Sequence, residues 1–288
     1  MKELTILSGK GGTGKTTITS ALASVANNAV FCDNDVDAAD LHLILKPEIL
    51  EEYTFLGGWQ AKIDEEKCSS CGICKKYCRF DAIHFKEEGG LYINPYQCEG
   101  CRLCEKVCPQ DAITTKQNDN NYWYVSDTRF GKLVHANMGP GEENSGKLVT
   151  QVRKKAKEIA EEINADYVIN DGPPGIGCAA ISSITGVDAV LMVIEPTKSG
   201  FHDVKRLIYL VEEFNITAYA VINKYDINYE VCNQIEEFLK MKNISILAKI
   251  PFDKSFVEAI VLEKSIVEFD PKSKISDTIK TIWERIKN

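Results

Sequence analysis

The chain has 288 residues, of which 44% are hydrophobic and 26% charged, and its formal net charge is −8. This composition is ordinary for a globular protein of one large domain or two, and the negative charge argues against a general nucleic-acid-binding surface. No apolar run is long enough for a membrane-spanning helix, and the chain starts in a strand-like run without a signal peptide. We therefore expect a cytoplasmic protein that binds neither nucleic acid nor membrane.

A phosphate-binding loop follows the first predicted strand. Leu4–Leu7 is an apolar run typical of a buried strand, and Thr17–Ala26 has the composition of a helix. The segment between them fits the pattern G-x-x-x-x-G-K-[ST]. Its glycines allow backbone N–H groups to face phosphate oxygens, and the helix directs the positive end of its dipole at them. The predicted nucleotide site comprises Gly9, Lys10, Gly11, Gly12, Thr13, Gly14, Lys15, Thr16 and Thr17.

Two side chains of this loop have expected roles. Lys15 is placed to reach the β- and γ-phosphates of a nucleoside triphosphate, and the Thr16 hydroxyl to ligate Mg²⁺. A glycine-rich turn without a ligand is the alternative interpretation.

An acidic segment follows the second predicted strand, Ala29–Cys32. Four carboxylates at the end of a parallel strand, one strand–helix–strand step from a phosphate loop, indicate a site that handles Mg²⁺ and water. Asp35 is a candidate Mg²⁺ ligand, and Asp37 and Asp40 are candidates for outer-shell contacts. A helix N-cap with solvated acidic residues is the alternative.

A second acidic position ends the predicted strand Asp166–Asn170. Asp171 is placed to hold Mg²⁺ directly or through water. The next residues, Gly172 to Gly177, contain two prolines of fixed φ among glycines that can change conformation. This mixture suits a loop that responds to the γ-phosphate, and a plain turn is the alternative.

Eight of the eleven cysteines lie between residues 68 and 108. They form two copies of Cys-x2-Cys-x2-Cys-x3-Cys, the spacing of bacterial-type ferredoxins with two [4Fe–4S] clusters. Three thiolates on one short loop can bind three irons, and the fourth iron takes the distant cysteine of the other copy. We predict one cluster on Cys68, Cys71, Cys74 and Cys108, and another on Cys98, Cys101, Cys104 and Cys78. Structural zinc and disulfides are the alternatives, and Arg79 replaces the proline that usually follows the fourth cysteine.

The remaining chain is predicted to be mostly alternating strands and helices. Residues 46–62 have the composition of a connector, and Tyr122–Val125 and Lys132–Ala136 look like short strands. Gly141–Leu148 imitates a phosphate loop but ends in leucine, so we interpret it as the entry to a helix. The later predicted strands and helices are Ala189–Ile194, Gly200–Phe214, Ala218–Ile222, Tyr229–Lys240, Ile244–Ile250, Phe252–Val261 and Ser273–Ile286. Apolar strands separated by helices predict a parallel sheet covered on both faces.

The phosphate loop resembles that of one known superfamily. Lys10 directly after the first glycine is similar to the deviant P-loop of the MinD/ParA/Mrp superfamily, which includes the nitrogenase iron protein. In that superfamily the extra lysine reaches the partner's nucleotide, so the resemblance implies a homodimer in which Lys10 acts on the other subunit's site. A cation supplied by a second subunit neutralises transition-state charge as an arginine finger does. A solvated loop lysine is the alternative.

The same resemblance implies further site residues. The segment around Asp35 resembles switch I, in which an aspartate positions or activates the attacking water, and Asp171 begins a segment that resembles switch II. Asn223 resembles an asparagine that contacts adenine. Pro251, Phe252 and Asp253 resemble the superfamily's loop that lines the other side of the base. Ordinary turns are the alternative for both Asn223 and this loop.

The combined interpretation is an α/β ATPase of the deviant P-loop class with a mostly parallel, doubly wound sheet. The ATPase domain is split into residues 1–60 and 120–288, and a small α+β ferredoxin domain, residues 61–119, is inserted. We expect slow, dimer-dependent hydrolysis of Mg-ATP that is coupled to electron transfer, or to docking of a redox or client protein. Delivery of iron–sulfur clusters or metal to another enzyme is the alternative, and membrane positioning of the MinD type is a third hypothesis.

Overall fold

The computed structural model describes residues 1–139 and 145–287. Within this range the strands are β1 (Lys2–Ser8), β2 (Ala29–Asp33), β3 (Glu48–Phe55), β4 (Trp59–Ile63), β5 (Ile83–Phe85), β6 (Leu91–Ile93), β7 (Ile113–Gln117), β8 (Asn121–Thr128), β9 (Gly131–Asn137), β10 (Tyr167–Pro174), β11 (Ala189–Ile194), β12 (Thr217–Asn223) and β13 (Ser245–Ile250). The helices are α1 (Lys15–Ala23), α2 (Leu41–Leu45), α3 (Ile73–Tyr77), α4 (Leu103–Val107), α5 (Ser145–Glu162), α6 (Cys178–Ile184), α7 (Lys198–Glu213), α8 (Tyr229–Met241), α9 (Ser255–Val261), α10 (Ile266–Phe269) and α11 (Lys274–Lys287).

The chain divides into two units. Unit 1 comprises Met1–Tyr53, Trp123–Asn137 and the chain from Ser145 onward, whereas unit 2 comprises Thr54–Tyr122 with residues 138 and 139. Residues 141–144 of the segment that imitates a phosphate loop lie outside the described residues, and its Gly146, Lys147 and Leu148 belong to the first turn of α5.

A nine-stranded sheet of order β13-β12-β11-β1-β10-β2-β9-β8-β3 dominates unit 1. The strands from β13 to β9 pair in parallel with their neighbours. Central strands such as β2 and β11 are apolar and almost fully buried, because helices cover both faces of a parallel sheet. The predicted α/β class with a large, mostly parallel sheet is therefore confirmed.

Two sequence predictions about loops are wrong. The connector predicted over 46–62 contains β3 and most of β4. All but the last residue of β3 are exposed, so this edge strand lacks the apolar pattern that reveals a buried one. The predicted loop after Asp171 continues β10 as far as Pro174. The register of β1 against β10 shifts between Ile6 and Ser8, where the prolines cannot donate to the ladder.

The last helix packs into the core of unit 1. Ile279 and Ile282 are fully buried, and Trp283 is 3% exposed and meets the ring of Tyr167 edge-on. The apolar stripe of α11 is therefore occupied by the core and is not free to lie on a membrane. In the described part of the chain, no helix combines the length and apolar character needed to span a bilayer.

Unit 2 consists of two short antiparallel pairs and two single-turn helices. β4 pairs with β7, and β5 pairs with β6. Its apolar core is small, and cysteine side chains make up much of it: Ala61, Cys74, Ile83, Leu91 and Ile113, with Cys68, Cys78, Cys98, Cys104 and Cys108 packed against them.

Candidate functional site

A cavity of about 490 Å³ opens at the carboxyl ends of the unit 1 strands. It brings together the phosphate loop, the acidic segment and the residues predicted to contact a base. The predicted residues that line it are Gly11, Gly12, Thr13, Gly14, Lys15, Thr16, Thr17, Asp35, Asn223, Pro251, Phe252 and Asp253. Gly9, Lys10 and Asp171 are outside the lining, as is Asp37, whereas Asp40 is part of it.

Gly14 is the position at which the loop requires glycine. It precedes α1 with a φ of 91°, in the left-handed region. A Cβ at this position would lie 2.4 Å from Nδ2 of Asn223, so the close approach of the two segments also excludes a side chain. The chain thus enters α1 with its first N–H groups directed at the cavity.

The side chains around Asp171 form one dense network. Its Oδ2 accepts a hydrogen bond from Thr16 Oγ1 at 2.7 Å and lies 2.9 Å from Lys15 Nζ. Its Oδ1 accepts from Thr19 Oγ1 at 2.6 Å. Thr19 was missed in the sequence, since a threonine one turn into a helix carries no motif. The network joins two of the three predicted Mg²⁺ ligands, Thr16 and Asp171, to the phosphate-loop lysine.

Two further carboxylates lie near Lys15. Asp35 Oδ2 is 3.7 Å from Lys15 Nζ, and burial raises the pKa of Asp35 to about 6 although Lys15 opposes the shift. Asp33 is fully buried, and burial, followed by the nearby Asp171, raises its pKa well above the usual value. Burial lowers the pKa of Lys15, but the three carboxylates outweigh it and the net pKa of Lys15 is raised. Lys15 therefore lies among three acids, Asp33, Asp35 and Asp171, which suits a site that accepts Mg²⁺ and phosphate together.

Asp33 has a structural role that the sequence did not reveal. Its Oδ1 accepts from the Asp35 backbone N–H, and its Oδ2 from the Leu41 N–H, both at 3.1 Å. Asp33 thereby ties the position of Asp35 to the amino end of α2. Asp37 and Asp40, the candidates for outer-shell contacts, are not part of this network of hydrogen bonds.

Lys10 faces residues of its own chain. Its Nζ lies 3.0 Å from Glu195 Oε2 and 3.0 Å from Thr197 Oγ1. Glu195 also binds Lys224 at 3.0 Å, and Lys224 donates to the Gly12 carbonyl at 2.9 Å. Burial opposes ionisation of Glu195, but the two lysines outweigh it and lower its pKa. Glu195 and Lys224 were missed because neither belongs to the phosphate-loop pattern.

The far end of the cavity is polar on one side and apolar on the other. Asn223 is 6% exposed and donates from Nδ2 to the Thr13 carbonyl at 2.8 Å. Its Oδ1, together with Thr13 Oγ1, is buried without a hydrogen-bond partner among the described residues. The opposite wall includes side chains that the sequence did not single out, namely Phe256, Val257 and Ile260 of α9. An unpaired acceptor beside apolar groups fits a planar heteroaromatic ring that carries an N–H donor.

The eight clustered cysteines of unit 2 separate into two groups of four. One small cavity is lined by Cys68, Cys71, Cys74 and Cys108, and a second by Cys78, Cys98, Cys101 and Cys104. These groups have the same membership as the predicted ligand sets. All eleven cysteines of the chain are free thiols.

The backbone repeats from one cysteine motif to the other. Ser70 and Gly100 have φ values of 55° and 60°, and Asp81 and Asp111 have 49° and 46°. The Ala82 N–H donates to Cys78 Sγ at 3.4 Å, and the Ala112 N–H to Cys108 Sγ at 3.3 Å. The departure from the usual pattern at Arg79 therefore leaves the geometry of its preceding cysteine unchanged.

The cysteine groups are not arranged as sites for a single ion. Across the described residues, no three or more His, Cys, Asp and Glu side chains are spaced to hold one metal ion. Burial raises the pKa of Cys74, and it raises that of Cys104 to about 11, with neighbouring cysteine sulfurs adding to both shifts. Four thiolates together would repel one another strongly, so the set calls for bound positive charge.

The chain has clear relatives. The model of the CobQ/CobB/MinD/ParA nucleotide binding domain matches residues 4–266. An uncharacterized protein of Methanocaldococcus jannaschii is 36% identical over 293 residues, which is 99% of this chain and 96% of that protein. An iron-sulfur cluster carrier protein of Rickettsia conorii is 32% identical over 117 residues, 40% of this chain and 36% of the carrier.

Two further similarities involve proteins of Pyrococcus horikoshii. The solved structure of its septum site-determining protein MinD with Mg-ADP has a TM-score of 0.61 and covers 100% of this chain and 96% of that one, at 18% identity, which shows a common fold. A stretch of 43 residues, 14% of this chain, is 46% identical to ketoisovalerate oxidoreductase subunit VorD and covers 41% of that subunit.

Proposed function

The chain belongs to the CobQ/CobB/MinD/ParA nucleotide-binding family, and from this premise we propose that it hydrolyses Mg-ATP and couples its nucleotide state to two [4Fe–4S] clusters. Two features of one chain carry the proposal. The first is a cavity lined by the phosphate loop and, at its proposed base-binding end, by Asn223 and α9. The second is the pair of separate groups of four cysteines.

The base-binding end favours adenine. Asn223 Nδ2 is engaged by the Thr13 carbonyl, so the free Oδ1 is available only as an acceptor. Adenine presents an exocyclic amine that can donate to it, whereas guanine presents a carbonyl oxygen at the corresponding position. A buried acceptor left opposite another acceptor costs about 1–3 kcal/mol, so we expect ATP to bind at least about fivefold more tightly than GTP.

The hydrolytic step follows from the side chains around the phosphate loop. Thr16 and Asp171 would hold Mg²⁺, with Asp35 the third predicted ligand or its neighbour through water. The ion would neutralise charge on the β- and γ-phosphates. Lys15 would leave Asp171 for the γ-phosphate, since both are anions within reach of one flexible side chain. Asp35 would orient a water molecule for attack on the γ-phosphorus and accept its proton as the bond to the β-phosphate oxygen breaks.

A second subunit would complete the site through Lys10. In the single chain Lys10 is bound by Glu195 and Thr197 rather than directed into its own cavity. Transfer of its ammonium group to the partner's phosphates would make hydrolysis depend on a head-to-head homodimer. This supports the proposal of slow turnover by the free subunit.

The two cysteine groups would each hold one [4Fe–4S] cluster. The ligand sets are Cys68, Cys71, Cys74 and Cys108 for one, and Cys98, Cys101, Cys104 and Cys78 for the other. A cluster supplies one-electron redox chemistry when bound. The chain's own contribution is the four thiolates and the N–H donors of Ala82 and Ala112. The similarity of one stretch to an oxidoreductase subunit favours this redox role over a purely structural one.

Chain connectivity supports coupling between the two functions. The chain leaves unit 1 after Tyr53, shortly beyond the segment of Asp35, and returns at Trp123, ahead of Asp171. Unit 2 is thus inserted between the two acidic segments that would respond to the γ-phosphate. Binding of ATP would then change the conformation of the surface near the cysteines to which a client or redox protein docks.

The decisive experiment is electron paramagnetic resonance of the anaerobically purified, dithionite-reduced chain. We expect about eight irons per chain and two interacting [4Fe–4S]⁺ signals that change on addition of Mg-ATP. Lys15→Ala is the control, because it should retain the iron and lose the response to ATP. A wild-type spectrum that ignores saturating Mg-ATP would refute the coupling.

Cluster delivery is the second candidate function, favoured by the similarity to an iron-sulfur cluster carrier protein. The two functions differ in how long the iron stays bound. Redox clusters held by four thiolates should persist through many ATP turnovers, whereas cargo should move to an apo iron–sulfur acceptor. Transfer of radiolabelled iron to such an acceptor, at a rate that depends on ATP, would replace the first proposal with the second.

A further inference from the structure

The turn between β8 and β9 places an arginine among three other segments of unit 1. Its geometry is tight: Thr128 Oγ1 donates to the Gly131 carbonyl at 2.7 Å, and a Cβ at Gly131 would lie 2.6 Å from the Ala29 carbonyl oxygen. Arg129 is therefore held at a fixed point beside the start of β2. No motif marks this residue, and the hydrolytic step described above assigns it no role.

The guanidinium of Arg129 contacts the last turn of α2. It donates to the carbonyls of Ile44 and Leu45, both at 2.8 Å. These carbonyls belong to the end of a helix, where no further helical N–H is available to them. Arg129 thus satisfies the carboxyl end of α2, while Asp33 accepts from the N–H of Leu41 at its amino end.

The same guanidinium contacts the corner that follows α9. It binds both carboxylate oxygens of Glu268, at 2.6 and 2.8 Å, and donates to the Glu263 carbonyl at 3.3 Å. Glu268 also completes the capping box of α10 with Ser265. Burial opposes ionisation of Glu268, but Arg129 and the cap outweigh it and lower its pKa.

These contacts connect two elements that each adjoin a wall of the nucleotide cavity. On one side, α2 continues through Asp33 to the backbone of Asp35, the residue proposed to orient water. On the other side, the Glu263 N–H donates to the Ile260 carbonyl at 2.8 Å at the end of α9, whose Phe256, Val257 and Ile260 line the base end of the cavity. One planar cation therefore sets the distance between the segment that meets the γ-phosphate and the helix that meets the base.

We propose that Arg129 is a positioning residue of the nucleotide site, which makes binding of the base and placement of Asp35 depend on each other. This inference rests on the proposed ATPase function. The guanidinium fork is essential to it, because five N–H donors in one plane can serve two carbonyls and a carboxylate at once, whereas a lysine cannot hold that geometry.

The test compares ATP with inorganic tripolyphosphate, which lacks both the base and the ribose. ATP spans the cavity, whereas inorganic tripolyphosphate reaches only the phosphate loop. We expect Arg129→Ala to raise the Kd for ATP about fivefold and leave that for tripolyphosphate within about twofold. It should also lower kcat at saturating ATP severalfold, and Arg129→Lys should restore only part of either loss.

The ratio of the two Kd values separates positioning from general loss of stability, since partial unfolding weakens both ligands equally. Arg285→Lys is a matched control, because Arg285 also donates to a backbone carbonyl, that of Leu247, at 2.8 Å, and has no hydrogen bond to α2 or α9 among the described residues. Thermal unfolding monitors the fold of each variant, and Arg129→Lys alone suffices if the alanine variant does not fold.

The outcomes are distinguishable. ATP binding by the wild type, with an unchanged ratio and kcat in both Arg129 variants, overturns the positioning role and leaves the proposed ATPase intact. A wild type that binds neither ATP nor tripolyphosphate overturns the proposed function, and the positioning role with it.

Discussion

The nucleotide cavity and the cysteine groups differ in what holds their functional side chains in place. Around the phosphate loop, Lys15, Thr16, Thr19 and Asp171 are tied to one another by short hydrogen bonds and ion pairs. In unit 2, by contrast, the cysteines are a large part of the core itself. The nucleotide cavity lies in a fold that two large apolar clusters stabilise. The cysteine groups, in contrast, are themselves part of the core that stabilises unit 2.

This difference teaches how each site depends on its ligand. The nucleotide cavity can exist without nucleotide, because Lys15 neutralises the carboxylates that Mg²⁺ would otherwise balance. A small unit with few buried apolar side chains gains its stability from cross-links or metal. We therefore expect unit 2 to need its clusters for folding, and unit 1 to fold whether or not nucleotide is bound.

The largest effect should come from a cluster ligand. Cys74→Ser should remove about four of eight irons and make residues 54–122 sensitive to protease, since Cys74 is a proposed ligand and also a core residue. Iron analysis and limited proteolysis measure the result. Cys178→Ser is the control, because this exposed thiol lies outside both groups. ATP binding should persist in Cys74→Ser. Complete unfolding of unit 1 in this variant would contradict the view that unit 1 folds independently of the cysteine groups.

An intermediate effect is expected for Asp35→Asn. Loss of the proposed base should lower kcat about 10²–10⁴-fold. Because the carboxylate form is the active one and the pKa is about 6, wild-type activity should fall as pH decreases through 6, and the variant should lose that limb. The pH dependence of kcat tests this.

The same substitution has a consequence for stability. A carboxyl whose pKa is raised in the folded state favours folding when protonated, and that contribution is lost as pH rises from about 4 to about 6. Asp35→Asn should therefore raise Tm at pH 8 and leave it unchanged near pH 3. For the activity measurement, a wild-type kcat that does not fall below pH 6 would show that a group other than Asp35 is the general base.

The smallest effect should come from Glu195→Gln. It weakens the hold on Lys10 by removing a partly exposed ion pair, worth less than about 1 kcal/mol. If Lys10 must leave Glu195 to reach a partner subunit, ATP-dependent dimerisation should strengthen, by no more than about fivefold. Sedimentation velocity with and without ATP measures the dimerisation. Glu236→Gln is the control, because Glu236 pairs with Lys249 and not with Lys10. Weaker dimerisation would show that Glu195 assists the interface instead.

The sequence predicts those features whose physical cause is local. A phosphate loop needs glycines at particular positions of a strand–loop–helix unit, and Gly14 is restricted by its own φ as well as by Asn223. The cysteine groups could also be predicted, because each ligand spacing reflects the reach of a short loop. Apolar strands such as β11 were found with their bounds unchanged, since burial on both faces leaves an uninterrupted apolar run.

Features that depend on distant partners could not be predicted. Thr19 and Asp33 matter because of where Asp171, Leu41 and Asp35 lie after folding. The exposed edge strand β3 is polar enough to resemble a connector, and its strand conformation is imposed by the neighbouring strand. Arg129 carries no local signal at all, because its contacts span 84 to 139 positions of the chain.

The interlacing of the two cysteine motifs has a consequence for biosynthesis. Each group of four thiols borrows one member from the other motif, Cys108 in one case and Cys78 in the other. Neither group of four thiols is complete until cysteines of both motifs have left the ribosome. Translation must therefore pass Cys104 before the first full group exists. Any cluster held by these thiols would therefore have to wait until both motifs have emerged, and a chain truncated between the motifs would lack a complete set of ligands.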